Sequence, residues 1–320
     1  MKNFIYKIII LLFTYVVFMT VIFFFLPYDI NSYYKSIEKK YDRMQYLTNN
    51  NFKKIIFVGG SNLAFGLNSE EIEKKTGFHV VNMSLHAGLG LDLMLNQVIE
   101  YIHEGDIVVI SPEYNLFLDD DYYGDGKILS EYFIAEKKEI KLMNSRNYIH
   151  TIKNINNAII ASIKYTIKKI IQLFYKDFTL DKYNIYRASN FNKYGDMTAH
   201  IGKKTPDYFS GGASFFEGEI NLESINKIKK FQNVAKKQGT ITLITWPCIL
   251  DKTYKINKEK FDEIVSLVSK YCLNIISDKN TYIYSYELFY DTTYHLNKDG
   301  IEVRTKSIIK DINNYINKNN

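Results

Sequence analysis

An uninterrupted run of apolar residues opens the chain. Residues 8–26 read IIILLFTYVVFMTVIFFFL and carry no charge. As a helix rising about 1.5 Å per residue, the run reaches about 28 Å, close to the hydrocarbon thickness of a bilayer. Lys2 and Lys7 precede it, which predicts an N-terminus in the cytoplasm and the remainder outside. A cleaved signal peptide calls for a shorter apolar stretch and small residues at its exit. The exit here, FFFLPYDINS, is bulky. The pattern predicts a cytoplasmic tail over 1–7 and an uncleaved transmembrane anchor over 8–26. No later run is long enough to cross again.

The pattern then changes twice. Residues 31–50 are polar and rich in Lys and Tyr, which predicts a short helical stalk within 27–50. From residue 51 short apolar runs alternate with amphipathic stretches. KIIFV (54–58), HVVN (79–82) and DIVVI (106–110) predict buried parallel strands, the last closed by Pro112. Helices are predicted over 69–75, with a serine cap and early glutamates, and over 91–102. Later, 220–237 reads as helix, TITLIT (240–245) as strand, 261–271 as helix, 281–284 as a last strand and 300–316 as a final helix. Strand alternating with helix predicts an α/β fold, a doubly wound parallel sheet covered on both faces, over 51–320. Residues 118–218 break the rhythm and read as an inserted, mostly helical cap. Within it, 156–178 is a basic helix carrying Lys164, Lys168 and Lys169, either a solvated face or one lying on anionic headgroups.

Composition narrows the function classes. Of 320 residues 46% are hydrophobic and 24% charged, so wholesale disorder is excluded. The net charge of +6 is spread along the chain without a dense basic block, so no nucleic-acid partner is expected. Cys248 and Cys272 cannot form a disulfide framework or a four-ligand zinc site, and they are not expected to pair with each other. No cluster of His and Asp has the spacing of a metal site, so neither metal nor cofactor is predicted.

The candidate chemistry lies at the carboxyl ends of the predicted strands, where open α/β sheets bind ligands. The first strand exits as FVGGSNLAFG, which places Ser61 after a sharp glycine turn. A serine nucleophile needs a base, and the base needs an orienting acceptor. Of the histidines only His295 follows closely on a predicted strand, in ELFYDTTYHLNKDG, with Asp291 four residues before it. Glu113, at the end of the third strand, is a rival for the orienting carboxylate.

Serine at the end of the first strand with Asp and His at the last resembles the SGNH (GDSL-like) hydrolase superfamily, over residues 51–117 and 219–318. In the first block, GGSN, Gly60 stands where the family has Asp. The second block, NMSLHAGLG, aligns Gly88 with the glycine whose N–H binds the oxyanion. The third has SPEYN where glycine-x-asparagine is usual, leaving Asn115 as the candidate third donor. In the last block Thr292 holds the usual place of the Asp, and Asp291 comes one earlier. A closer likeness is to membrane-anchored members that act on bacterial surface polymers, such as the teichoic-acid D-alanylation protein DltD and the alginate-acetylation proteins. SNFNKYGDMTAH, with Asp196 and His200, reads either as a wall of the acceptor cleft or as a surface loop.

The resemblance implies a serine acyl-transfer enzyme, an O-acyltransferase or esterase, anchored at the cell membrane with its catalytic domain outside the cytoplasm. Ser61 is its nucleophile, His295 its base and Asp291 its orienter, with Ser61, Gly88 and Asn115 as oxyanion donors. The implied partners are an acyl donor, a cell-surface glycan or polymer acceptor, and an integral membrane acyltransferase. The alternative is a non-catalytic, glycan-binding accessory on the same fold.

Overall fold

The structure is a computed structural model and describes residues 2–25, 28–175, 184–209 and 211–319. The opening apolar run forms α1 (Lys2–Phe25). Among the described residues no helix is long and apolar enough to cross a membrane. Side chains 16, 19, 20 and 22–24 and residues 26–27 lie outside the description, so the expected span 8–26 is not covered as a whole. The large apolar side chains of α1 that are described stand exposed, Leu11 at 71% and Phe25 at 82% among them.

Next comes α2 (Ser36–Asn49), and then β1 (Lys54–Gly59), α3 (Ser61–Ala64), α4 (Ser69–Thr76), β2 (His79–Asn82), α5 (Leu91–Asn96) and β3 (Ile107–Ser111). The interruption contains α6 (Gly126–Ala135) and α7 (Ser145–Phe174). The rhythm resumes with α8 (Leu222–Lys237), β4 (Ile241–Ile244), β5 (Ile249–Leu250), α9 (Asp251–Ile256), α10 (Lys258–Tyr271), β6 (Ile283–Tyr284) and α11 (Lys298–Asn319). The architecture is α/β. One parallel sheet of four strands runs in the order β2-β1-β3-β4, with Ile56 opposite Val81 on one side and Val108 on the other. Every residue of β1 and β3 is buried, which explains why these strands read as unbroken apolar runs. Lys54 is the exception, and its ammonium sits 2.6 Å from buried Asp106. α4 packs on β2 and α11, α5 on β1 and α8, and α8 on β4 and α10.

Segment 31–50 is part of the body rather than a stalk. Ile37, Met44 and Leu47 of α2 are in the core, and the polar side chains of the helix close the open side of β2. Arg43 Nε donates to Val80 O at 2.7 Å and Lys40 Nζ to Asn82 O at 2.9 Å. Glu73 accepts from Val80 N at 2.8 Å, and Asn82 N donates to Tyr194 O at 2.8 Å. An edge strand's outward amides and carbonyls, an invitation to foreign strands, are thereby all used. Lys40 is fully buried, also donates to Ser84 O and Gly195 O, and burial pushes its pKa down to about 7. Three carbonyls take its three N–H bonds.

Other elements differ in detail from the pattern. The cap of α4 is Asn68, accepting from Glu71 N, one residue before the expected serine, and the helix ends on left-handed Gly77 (φ 76°). α5 stops at Asn96 because tighter bonds, Val98 N to Leu95 O and Tyr101 N to Val98 O, replace the helical ladder. α7 starts at Ser145, well before residue 156, where Asn144 and Asn147 cap each other reciprocally. Residues 176–178 of the expected basic helix lie outside the described residues. The segment expected as the sheet's last strand pairs elsewhere, β6 with β5 in a separate two-stranded parallel unit. Beside β4 the described residues lay down a single parallel bridge, Ile244 to Ile275.

Candidate active site

Ser61 leaves β1 through Gly59-Gly60 and is the first residue of α3, partly exposed. As the first helical residue its N–H has no intrahelical acceptor. The peptide groups on either side of it are held from below. Glu113, just after β3, accepts Gly60 N on one carboxylate oxygen and Asn62 N on the other, both at 3.0 Å. Arg304 of α11, fully buried, donates to Asn62 O at 2.6 Å and to Asn62 Oδ1 at 2.7 Å. A Cβ at residue 60 would stand 2.3 Å from Glu113 Oε1 and 2.6 Å from Ala87 N. Glycine is therefore required, and the carboxylate that fills the space beside it comes from residue 113. Burial raises the pKa of Glu113, against the opposing pull of the hydrogen bonds from Asn62 and Gly60. Both of its oxygens serve the backbone around Ser61, and it makes no bond to His295.

Asp291 and His295 lie in a loop closed by the antiparallel bridge Phe289–Leu296 and by Tyr290 N donating to His295 O at 2.8 Å. Asp291 Oδ1 is 2.7 Å from His295 Nδ1. Thr292 takes the His295 N–H at 3.0 Å and the Tyr294 N–H at 3.2 Å on its hydroxyl. The threonine thus turns the loop, and the carboxylate one residue earlier meets the ring. Burial works to raise the Asp291 pKa, but hydrogen bonds from His295 and Tyr186 outweigh it and hold the carboxyl below its ordinary value. With Nδ1 engaged, Nε2 is the nitrogen left to take a proton. The imidazole is stacked on Phe65, ring centroids 4.0 Å apart and planes 6° from parallel. Phe65 N bonds back to Ser61 O, so the histidine rests against the turn that carries the serine.

The interruption feeds this site. Tyr186 donates to Asp291 Oδ2, and Tyr208 reaches the same oxygen at 3.5 Å. A hollow of 310 Å³ lies beside Asp291, walled by Tyr208, Phe209, Ser214 and Thr293. Asp196 and His200 are neither cleft wall nor surface loop. Asp196, 2% exposed, takes Ser69 N and Oγ and the Asn82 amide, joining the insertion to α4 and β2. His200 faces Leu296 O through Nε2 at 3.0 Å, packs on Phe65, and is pushed down to about 4 by burial.

The expected oxyanion donors are placed differently. Gly88 N–H donates to His86 Nδ1 at 2.9 Å, inside its own turn. Asn115 directs its amide to Asp121 at 3.4 Å on the exposed side. His86 itself is half-buried beside this turn and is pushed down to about 4, chiefly by burial and then by the charge of His295. Its letter stands inside the block NMSLHAGLG, where its side chain caps the turn by accepting the Gly88 N–H. Tyr186 and Phe65 gave no signal at all, because each acts through a contact made only in three dimensions.

Cys248 and Cys272 are both free and buried. Cys248 Sγ bonds Tyr294 O at 3.0 Å, just before His295, and receives Arg304 at 3.3 Å. Among the described residues no group of three or more His, Cys, Asp or Glu is placed to hold a metal ion. No protein-family model matches the chain, and no curated protein matches it.

Proposed function

We propose that the protein is a serine acyl-transfer enzyme of SGNH type, acting outside the cytoplasm on a cell-surface glycan or teichoic-acid-like polymer. The observation that carries the reading is the Asp291–His295 pair at 2.7 Å, seated on the turn that presents Ser61. Ser61 Oγ attacks the acyl carbonyl carbon while His295 Nε2 takes its proton. The oxyanion collapses, and the leaving oxygen departs with the proton that His295 returns. Water or a sugar hydroxyl then attacks the acyl-enzyme with the same base, giving hydrolysis or transfer, and Ser61 is restored. The strand order β2-β1-β3-β4 is consistent with a flavodoxin-like, doubly wound three-layer sandwich, a frame that binds at the carboxyl ends of its strands.

The uncharged run 8–26, with Lys2 and Lys7 before it and apolar side chains turned outward along α1, supports a single-pass anchor. An integral membrane acyltransferase that passes the acyl group outward is the partner this topology suits. One observation favours the second reading, a glycan-binding accessory without catalysis: the Gly88 and Asn115 donors are both spent on neighbouring groups.

A fluorophosphonate probe separates the two readings. Labelling of the full-length protein that is lost in Ser61→Ala supports the enzyme, and no labelling supports the accessory. Protease added to intact spheroplasts should digest the chain beyond residue 30. Full protection overturns the topology.

A further inference from the structure

We propose that the His86 imidazole is the oxyanion donor of this site, its Nε2–H taking the place of the Gly88 amide. The inference rests on the acyl-transfer reading and identifies the group that makes it workable despite the altered loop.

Gly88 N–H donates to His86 Nδ1 at 2.9 Å, and this bond does two things. It removes the amide from the oxyanion's reach, and it fixes the tautomer. A ring nitrogen that accepts carries no proton, so the proton of the neutral ring is on Nε2. A donor bonded to Nδ1 also polarises the ring and makes Nε2–H a stronger donor.

The turn holding the ring is rigid. Leu89 N bonds His86 O at 3.0 Å and Gly90 N bonds Ala87 O at 2.9 Å. Ala87 N lies so close to Gly60 that a Cβ there would be 2.6 Å away, so the turn abuts the residue preceding Ser61. His295 is near enough for its charge to act on His86. The residue is half-buried.

Burial keeps His86 neutral at ordinary pH, which suits a donor and not a base. A neutral imidazole N–H can polarise a carbonyl and bind the developing oxyanion, an interaction realised mainly in the transition state. The Ser61 N–H, which has no intrahelical acceptor, is the second donor.

The test uses full-length protein in detergent and p-nitrophenyl acetate as substrate. His86→Ala should lower kcat about 100- to 1,000-fold while KM moves less than about threefold. His86→Gln, whose amide can donate from a similar distance, should recover at least about tenfold of that loss. In wild type labelled on its histidine nitrogens, formation of a phenylboronate adduct at Ser61 should move the His86 Nε2–H resonance downfield. That measurement holds even if the alanine variant does not fold. A kcat for His86→Ala within about threefold of wild type, or no movement of that resonance on adduct formation, overturns the role of His86 alone. A wild type that neither turns over the ester nor reacts at Ser61 overturns the acyl-transfer reading, and His86 with it.

Discussion

The hydroxyl of Tyr186 donates to Asp291 Oδ2 at 2.5 Å, while His295 holds Oδ1 of the same carboxylate at 2.7 Å. The carboxylate is therefore gripped from both ends, by the insertion on one side and by its own loop on the other. Its orientation does not depend on substrate.

Asp291→Asn should remove about ten-thousandfold of turnover, because the Tyr186 O–H claims the amide oxygen and leaves the NH2 group to donate to Nδ1, which favours the wrong tautomer. Unfolding by denaturant should change little. Tyr186→Phe removes only the outer grip, so a loss of about three- to tenfold is expected, with the Asp291 carboxyl rising toward its ordinary value. Ester turnover across a pH series reads both.

Glu113→Gln should act on stability before activity. One carboxamide has a single oxygen, yet both Gly60 N–H and Asn62 N–H need an acceptor. The unmatched amide should cost about 1–3 kcal/mol. If Glu113→Gln unfolds like wild type while losing turnover, the carboxylate serves His295 instead.

Gly60→Ala should be worse. The new methyl meets Glu113 and Ala87 below 3 Å, and since Ala87 N is backbone it cannot step aside. A loss of at least about 3 kcal/mol is expected. Gly60→Asp should fail for the same reason.

Two neutral histidines make the fold acid-sensitive. His86 and His200 titrate near 4 when folded, against an ordinary 6.5. Between those values the unfolded chain holds more protons, so stability is lost as pH falls through that window. Above about 6.5 nothing is lost, and between about 6.5 and 4 each histidine costs about 1.4 kcal/mol per pH unit. His200→Gln keeps a donor for Leu296 O but cannot titrate. Its stability should fall less between pH 6.5 and 4.5, as urea melts at the two pH values would show.

Lys40→Met should expose the role of α2. Removing the ammonium leaves Asn82 O, Ser84 O and Gly195 O without this donor, at a cost of about 3 kcal/mol or more. A Tm equal to wild type would mean that α2 is not integral to the fold.

The strands were legible because β1 and β3 are buried on both faces, and such strands are apolar at nearly every position. Ser61, Asp291 and His295 were legible because each stands in a short local block. What stayed hidden was polar and long-range. Lys40 and Arg43 made α2 look like a solvated stalk, yet their charges end on the edge of β2. Glu113 looked like a rival orienter until Gly60 was seen to leave room for its carboxylate. His86 could not be separated from five other histidines by spacing alone.

The closed side of β2 also dictates when this edge of the sheet is finished. Lys40, Arg43 and Glu73 all precede the strand, so a chain made N-terminus first carries the groups for Val80 and for Asn82 O as soon as β2 emerges. Asn82 N–H must wait for Tyr194, and Lys40 for its third carbonyl at Gly195. Until that segment arrives, the β2 edge shows one open amide and one incompletely matched ammonium. The insertion is thus the last stitch on this edge, and a nascent chain cut short before residue 194 is a species that should cling to its neighbours through it.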